Sequence, residues 1–411
     1  MKKTTLLFIA IVAITFTSHS QNTWTQKADF GGGGRCWCAA FSIGNKGYAG
    51  LGFYYTDFWE YDPVSDIWIQ KASFPAAGRA GLFSFSIWDK GYLGTGASFD
   101  TTYHTYDDFW EYDPVLNVWN QKADFPGGLR VDAFGFSSGT KGYVGSGGDG
   151  YGYFFNDFWE YDPVMNEWTQ KSDFGGVGRA NPATFSIGNK GYVTAGGNGG
   201  GDLNDTWEYD MISDAWTQKA DFTGIARSGS AGLSIENKGY LCTGQGYNGN
   251  SLFFKDCWQY NPANDAWTQQ ADIGGPGRTG AFAFSIGNKG YLGTGISMDS
   301  AGTYQWGDFW EFAPLAEGIS SNNAVEKSIS VFPNPAKEIF TLNLSVNNIL
   351  KSEVKIEVIN SLGQVFHSQN AMMLNGKLQQ EIRLTDVAAG MYLVKATIDN
   401  CVYTAQINLQ K

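Results

Sequence analysis

The heptapeptide Asp-Phe-Trp-Glu-Tyr-Asp-Pro stands at residues 57–63 and returns unchanged at residues 108–114 and 157–163. Altered copies occupy residues 205–210, 256–262 and 308–312. Aromatic residues followed by a turn-forming Asp-Pro pair are typical of a β-strand that ends in a tight turn. In five of the six copies a second Trp comes nine residues after the first, which indicates another strand beyond the turn. The sequence is therefore built from six copies of one unit.

Segments of constant length surround these strand pairs. Every unit starts with an Arg that is followed 13 residues later by a Tyr, and each second Trp lies 11 residues before the next Arg. A unit of 44 to 51 residues thus contains four strand-like runs, which is the content of one propeller blade. The sixth unit lacks its second Trp, whereas an isolated copy, Trp24, precedes the first Arg. We predict that the N-terminal strand completes the last blade and closes the ring.

These features resemble the kelch family of propellers, which includes the galactose oxidase-like domains. The resemblance rests on the Arg at each blade start, the Gly after the second strand, and the Tyr-Asp-Pro that precedes a spaced Trp. The paired Gly residues of the family are complete only at 147–148 and 196–197, so the repeats are divergent. The resemblance implies an all-β fold with a six-bladed kelch-type β-propeller over residues 21–316.

The loop between the second and third strands is the segment that varies in length. The distance from Tyr to Trp across it is 11, 18, 16, 15, 18 and 19 residues in the six units. In a propeller this loop shares a face with the blade starts, where the Arg residues lie. Five of the loops are rich in aromatic residues, which suit a sugar ring or a peptide. The candidate ligand-binding residues in these loops are Tyr54, Tyr55, Tyr103, His104, Tyr106, Tyr151, Tyr153, Tyr247, Phe253, Tyr304 and Trp306.

The six repeated Arg residues are candidates of a second kind. Each third strand opens with an Asp on the same face, so an Arg–Asp pair could brace the strands of each blade. An Arg that is not fully neutralised could instead hold a carboxylate of a ligand in bidentate geometry. These residues are Arg35, Arg79, Arg130, Arg179, Arg227 and Arg278.

The charge balance argues against nucleic acid as a partner. The net charge of the chain is −12. Residues 325–411 hold 8 basic and 7 acidic side chains and the first 20 residues hold two Lys, so the residues between them carry a net charge of −15. A negative field of this size repels phosphate backbones.

No cofactor and no metal site is predicted. A Ca²⁺ ion held between loops by Asp100, Asp107, Asp149, Asp202 and Asn204 is the alternative. A Cys/His metal site is not expected, because the predicted mature chain has only His104 and His367. Cys242 and Cys257 fall on neighbouring predicted strands and could form a local disulfide.

Both ends of the chain carry export features. Lys2 and Lys3 precede an apolar run and small polar residues, so residues 1–20 are predicted to be a cleaved signal peptide. After a polar linker at 317–327, residues 328–411 alternate between polar and apolar positions, which predicts a small immunoglobulin-like β-sandwich.

This last segment resembles the type A sorting domain of the Bacteroidetes type IX secretion system. The motif residues are Pro333, Asn334, Pro335, Gly363, Gly390 and Tyr392. The resemblance implies recognition by the type IX machinery and a secreted or outer-surface location. No other segment is long and apolar enough to span a membrane, and a monomer is expected.

The sequence therefore predicts an exported binding protein whose propeller face recognises a glycan or a protein. The alternative is a carbohydrate-active enzyme on the same face, mutarotase-like or glycosidase-like. No catalytic residue is identified, because a copper oxidase or a Ser/His/Asp triad would have to rest on the single propeller histidine, His104.

Overall fold

The computed structural model describes residues 22–98, 102–247, 251–314, 328–334, 336–346, 351–360, 364–374, 376–385, 387–398 and 401–410. The predicted signal peptide and linker lie outside these residues, as do Asp100, Pro335 and Gly363. The chain divides into two compact units at residues 315 and 316. Among the described residues, no helix has the length and apolar content needed to cross a bilayer.

In the described residues of the first unit, 32 strands form six four-stranded antiparallel blades and four short loop hairpins. The N-terminal strand is β1 (Thr23–Lys27). Blade 1 contains β2 (Ala39–Ile43), β3 (Lys46–Gly50), β4 (Phe58–Asp62) and β5 (Ile67–Gln70). Blade 2 contains β6 (Phe83–Ile87), β7 (Lys90–Gly94), β10 (Phe109–Asp113) and β11 (Val118–Gln121), with the loop hairpin β8 (Ala97–Ser98) and β9 (His104–Thr105). Blade 3 contains β12 (Phe134–Ser137), β13 (Gly142–Gly145), β14 (Phe158–Asp162) and β15 (Glu167–Gln170).

The remaining blades repeat this order. Blade 4 contains β16 (Ala183–Ile187), β17 (Lys190–Thr194), β20 (Thr206–Asp210) and β21 (Ala215–Lys219), with the loop hairpin β18 (Gly197–Asn198) and β19 (Gly201–Asp202). Blade 5 contains β22 (Ala231–Ile235), β23 (Lys238–Cys242), β26 (Cys257–Asn261) and β27 (Ala266–Gln270), with β24 (Gln245–Tyr247) and β25 (Ser251–Phe253). Blade 6 contains β28 (Phe282–Ile286), β29 (Lys289–Gly293) and β32 (Phe309–Ala313), with β30 (Ile296–Asp299) and β31 (Gly302–Gln305). The first strands of the six blades are neighbours of one another around a central channel.

The ring closes through the N-terminal strand, as the missing sixth Trp predicts. Strand β1 pairs with β32 as the outermost strand of blade 6, with Trp24 opposite Phe312. The Trp24 indole Nε1 donates to the Ala271 carbonyl of blade 5 at 3.0 Å. The other five second Trp residues make the same bond to the preceding blade; for example, Trp168 donates to Ala123 at 3.0 Å. Trp24 therefore occupies the sixth equivalent position.

Aromatic side chains hold adjacent blades together. The buried Phe109 of blade 2 packs edge-on against Tyr161 and Trp168 of blade 3, with ring centroids 4.7 and 5.0 Å away. Glycine in the second strand is required for this packing, because a Cβ at Gly142 would lie 2.2 Å from the Phe85 ring of the preceding blade. The repeated Lys-Gly-Tyr sequence thus leaves room for a Phe from the neighbouring blade.

The second unit is a β-sandwich with one hydrophobic core. Its strands are β33 (Ser328–Phe332), β34 (Ile339–Ser345), β35 (Lys351–Ile359), β36 (Val365–Leu374), β37 (Lys377–Arg383), β38 (Gly390–Ile398) and β39 (Cys401–Leu409). They are ordered β33-β34-β37-β36-β35-β38-β39, and a single residue pair joins β36 to β37. Alternate residues of β34, β35 and β38 are buried together, as the period-2 pattern predicts.

The described sorting-motif residues lie at the ends of these strands. The Asn334 side-chain oxygen accepts a hydrogen bond from the Asn408 N–H at 3.0 Å. The Tyr392 side chain is buried, and its hydroxyl donates to the Ala388 carbonyl at 2.9 Å. Gly390 has φ of +153°, a conformation that only glycine adopts readily. Pro333 follows the exposed Phe332 at the end of β33.

We expect Trp24→Ala to destabilise the propeller by about 2–3 kcal/mol, because it removes a half-buried indole that closes the ring. All 15 Trp residues precede residue 325, so Trp fluorescence during chemical unfolding reports on the propeller and not on the sandwich. Thr25→Ala, on the exposed face of the same strand, is the control and should change little. Equal stability of the Trp24→Ala variant and the wild type would contradict the closure.

Candidate ligand-binding site

Each blade-start Arg is buried and pairs with the Asp that opens the third strand. In blade 3, Arg130 Nη1 and Nη2 donate to the two carboxylate oxygens of Asp157 at 2.7 and 2.9 Å. The same carboxylate accepts a bond of 2.7 Å from the Trp159 indole. Six Arg–Asp pairs of this kind form, and the Arg side chains are at most 1% exposed. The paired residues are Arg35–Asp57, Arg79–Asp108, Arg130–Asp157, Arg179–Asp205, Arg227–Asp256 and Arg278–Asp308.

Charge complementarity outweighs desolvation in the Arg–Asp pairs of blades 4 and 6. Burial alone would raise the pKa of Asp205, but the Arg179 guanidinium and the Trp207 indole hold it below its ordinary value. The same balance lowers the pKa of Asp308 beside Arg278. Both carboxylates therefore stay ionised at neutral pH, and the guanidinium charges are neutralised from within the blade.

Aromatic rings cover the guanidinium groups. Arg79 lies between Tyr106 and Phe74, with its guanidinium carbon 3.7 and 5.2 Å from the two ring centroids. The covering loop residue always stands two positions before the Asp, and it is aromatic in five blades and Leu203 in blade 4. The aromatic members are Tyr55, Tyr106, Phe155, Phe254 and Trp306.

The predicted role of the six Arg residues therefore needs correction. The six Arg side chains are inaccessible to a ligand, because Asp and aromatic rings surround them. Tyr55, Tyr106 and Trp306 cover Arg residues; Tyr106 and Trp306 are half-buried, whereas Tyr55 is 43% exposed. Phe253 is half-buried beside Phe254. The sequence does contain the signal for this cover, because the aromatic residue always stands two positions before the Asp. The distance from the preceding Tyr varies between blades and does not show it.

The other predicted tyrosines lie on the surface of the same face. Tyr54, Tyr151, Tyr153, Tyr247 and Tyr304 are 39% to 82% exposed. Several lean on a second ring: Tyr151 contacts Tyr103 edge-on at 5.9 Å, and Tyr304 stacks on Trp306 at 5.8 Å. Tyr103 is half-buried, and the neighbouring His104 is exposed and bonded to Thr102. The ring contacts hold flat, partly apolar surfaces in place without burying them.

A second ring of residues, which the sequence analysis missed, forms the mouth of the central channel. It consists of the residue two positions after each Arg, and we call it the collar: Trp37, Gly81, Asp132, Asn181, Gly229 and Gly280. All six have φ between +51° and +68°. Backbone bonds run around the ring; for example, the Asn181 N–H donates to the Asp132 carbonyl at 3.1 Å and the Gly229 N–H to the Asn181 carbonyl at 3.0 Å. A cavity of about 180 Å³ lies inside.

Only three collar residues carry side chains beyond hydrogen. The Trp37 indole lies over Gly229 and Gly280, where a Cβ on either glycine would come within 3 Å of its ring. The Asp132 carboxylate lies over Gly81, and Asn181 hydrogen-bonds to it. Three non-glycine residues in the left-handed region are costly, and such outliers often mark functional sites.

Asp132 is half-buried and lines the cavity at the channel mouth. Burial raises its pKa to about 6, and the hydrogen bond from Asn181 only partly offsets this. No ion pair to a Lys, Arg or His forms at Asp132 among the described residues. Burial also raises the pKa of Asp202, in the loop of blade 4, against a hydrogen bond from Ser228.

The calcium alternative gains no support from the described residues. Asp149 is bonded within its own loop, where it accepts from the Tyr151 and Tyr153 backbone N–H groups at 2.7 and 3.1 Å. Asp100 lies outside the described residues, and among the described ones no three His, Cys, Asp or Glu side chains are grouped closely enough to hold a metal ion. Cys242 and Cys257 form the expected disulfide between β23 and β26.

Two family models match the chain. Residues 124–295 match the KLHDC2/KLHL20/DRC7 Kelch-repeats domain, and residues 330–410 match the secretion system C-terminal sorting domain. No curated protein matches the sequence significantly. A solved structure titled "Structure of YjhT" superposes with a TM-score of 0.63 at 16% identity, covering 71% of this chain and 98% of that one. At this identity the likeness concerns the fold alone.

We expect Asp157→Ala to destabilise the propeller by about 3–5 kcal/mol, because it leaves the buried Arg130 guanidinium without its counter-ion. Trp fluorescence in a denaturant titration would measure the change. Asp124→Ala, at an exposed site six residues before Arg130, is the matched control. A variant of wild-type stability would show that the pair does not hold the blade.

Asp132→Asn should stabilise the protein at high pH. Because burial raises the folded-state pKa above its unfolded value, ionisation costs stability as the pH rises from about 4 to about 6. The neutral amide avoids this cost, so the variant should be more stable by about 1–2 kcal/mol at pH 8 and equal to the wild type at pH 4. Denaturation curves at both pH values provide the measurement. A stability difference between the variant and the wild type that does not depend on pH would exclude a raised pKa for Asp132.

Proposed function

We propose that this chain, a kelch-type six-bladed propeller joined to a type IX sorting domain, is an exported protein whose propeller binds glycans on the Arg side. The sorting domain directs export, to the cell surface or the medium. What we propose is the class of ligand, namely glycans. One observation carries it: exposed tyrosines from four loops lie on the face that holds the polar channel mouth, while the repeated Arg residues are neutralised within the blades.

The exposed tyrosines have no evident task in holding the propeller together. The rings that cover the Arg residues and the rings between the blades already hold it, and Tyr54, Tyr151 and Tyr247 are more than 60% exposed. Tyr side chains offer a flat surface and a hydroxyl at low entropic cost, which favours binding. The surrounding Gly, Asn, Asp and Ser residues supply hydrogen-bonding groups at the mouth.

Glycans fit this face better than acidic ligands do. No cationic group is exposed at the mouth among the described residues, since the six Arg side chains are buried and Asp132 is acidic. A sugar ring would place its C–H face on an aromatic plate and its hydroxyls on polar groups. A protein ligand is the second outcome that a binding assay would reveal.

Asp132 favours one further candidate, an enzyme that acts on sugars. A carboxyl group with a pKa near neutrality can donate or accept a proton at physiological pH. Incubating any bound sugar with the protein and following anomer exchange and hydrolysis by NMR distinguishes the two functions. Turnover that Asp132→Asn abolishes would favour the enzyme.

Tyr151→Ala and Tyr153→Ala should each weaken glycan binding by about 1–3 kcal/mol if the residue anchors the ligand, with little loss of stability. Binding is measured on a glycan array and then by calorimetry. Val115→Ala is the control, since Val115 is an equally exposed apolar residue in the hairpin between the third and fourth strands of blade 2, on the opposite face. A blank array would refute the glycan proposal, and binding that depends on Val115 but not on the tyrosines would place the ligand on the other face.

A further inference from the structure

The loop of blade 4 leaves a gap in the ring of aromatic loops. Its tip is Gly199-Gly-Gly201, and the covering position holds Leu203 instead of an aromatic residue. Beside it lies an open cavity of about 270 Å³. We call this cavity the notch; its polar lining is Asn181, Asn198, Asp202 and Ser228.

The notch and the channel mouth meet at one residue. Asn181 belongs to the walls of both cavities, with Pro182 on the channel side and Ala180 on the notch side. The two cavities adjoin at Asn181, and we call them together the groove; it leads from the centre of the propeller outward over blade 4. The longer aromatic loops of blades 3 and 5 flank it, with Phe154 in the wall of the notch.

Polar groups are placed at both ends of this groove. At the inner end, the Asp132 carboxylate faces a mouth that the Trp37 indole partly covers from the side of blades 5 and 6. At the outer end, Asp202 lies beside Gly197 and Ser228. Neither carboxylate has an ion-pair partner among the described residues, in contrast to the Asp residues paired with Arg. Both are therefore suited to accept hydrogen bonds from a ligand.

We infer that the groove binds the end of a linear, non-anionic oligosaccharide, with the terminal sugar in the channel mouth and the following units leaving through the notch. The inference rests on the glycan-binding function proposed above. The terminal ring would stack on Trp37 and donate hydroxyl or ammonium protons to Asp132, next to Asn181. The next units would donate to Asp202. Carboxylates at both ends of the groove would repel uronic, sialic and sulfated sugars.

The composition of the blade 4 loop favours the notch as the exit. In blades 1, 2, 3, 5 and 6 a loop aromatic residue covers the Arg, whereas blade 4 has the aliphatic Leu203 at that position and three glycines at the loop tip. A chain bound end-on at the centre needs one open direction. Blade 4 provides it beside the only collar residue that lines both cavities.

Three variants test the inference separately. Asp132→Asn keeps the shape of the mouth but removes its charge. Trp37→Gly removes the stacking surface and suits a position with φ of +59°, since three collar positions already hold Gly. Gly199→Trp places a bulky ring at the tip of the blade 4 loop, where a Cβ meets no atom within 4 Å and φ does not favour glycine. Ser213→Trp, in an exposed hairpin on the opposite face of blade 4, is the control.

The probes are monomers and hexamers of glucose, N-acetylglucosamine, glucosamine and galacturonate, printed on the same array as the wider glycan set. For the sugar that binds, we expect Asp132→Asn and Trp37→Gly to weaken monomer and hexamer alike by about tenfold. Gly199→Trp should weaken only the hexamer, and Ser213→Trp neither. Tighter binding of glucosamine would identify ammonium as the donor, and equal binding would identify hydroxyl groups; both agree with the inference.

Failure of the inference is distinct from failure of the proposed function. If the array is blank, the glycan-binding function itself is wrong. If a glycan binds but is anionic, or binds equally well to the Asp132→Asn, Trp37→Gly and Gly199→Trp variants, the function stands and the end-on groove is overturned. Unfolding curves of each variant confirm that a lost signal reflects lost binding.

Discussion

The buried Arg–Asp pair is the interaction on which the rest of the propeller depends. Each Arg joins the start of the first strand of a blade to the start of its third strand. Its Nη1 also donates to the carbonyl of the residue 16 positions later, as Arg130 does to Ser146 at 2.9 Å. That residue has a positive φ in every blade although it is never Gly: Leu51, Thr95, Ser146, Ala195, Thr243 and Thr294. In each blade the guanidinium thus holds one strained turn, which leads into the variable loop.

Neutralisation of the six guanidinium groups decides the electrostatics of the face. A repeated ring of Arg suggests a positively charged mouth, yet every charge is cancelled by an Asp in the same blade, and in five blades a loop aromatic ring covers it. The net charge of −15 between residues 21 and 324 is then not locally reversed at the channel. Carboxylates that lack such partners, as at Asp132 and Asp202, set the local character of the site.

Departures from the repeat carry the specific chemistry. Three collar positions keep Gly, which tolerates a positive φ without strain, while Trp37, Asp132 and Asn181 adopt the same conformation at a cost. Blade 4 likewise lacks the aromatic cover that the other blades share. Function is expected at positions where one blade departs from the residue that the other blades share, because structure alone would favour the shared residue.

The sequence by itself determined the number of blades and the closure by Trp24, because these follow from spacings that recur along the chain. Its motifs indicated the two domain types, and it placed Cys242 and Cys257 on neighbouring strands where a disulfide could form. It also located the variable loops and most of the exposed tyrosines. It could not separate the exposed Tyr304 from the half-buried Trp306, because the difference lies in contact with an Arg that is distant in the sequence. The collar and the groove were decided only by the tertiary structure: Trp37, Asp132 and Asn181 belong to three blades, and closing the ring brings them together around one channel.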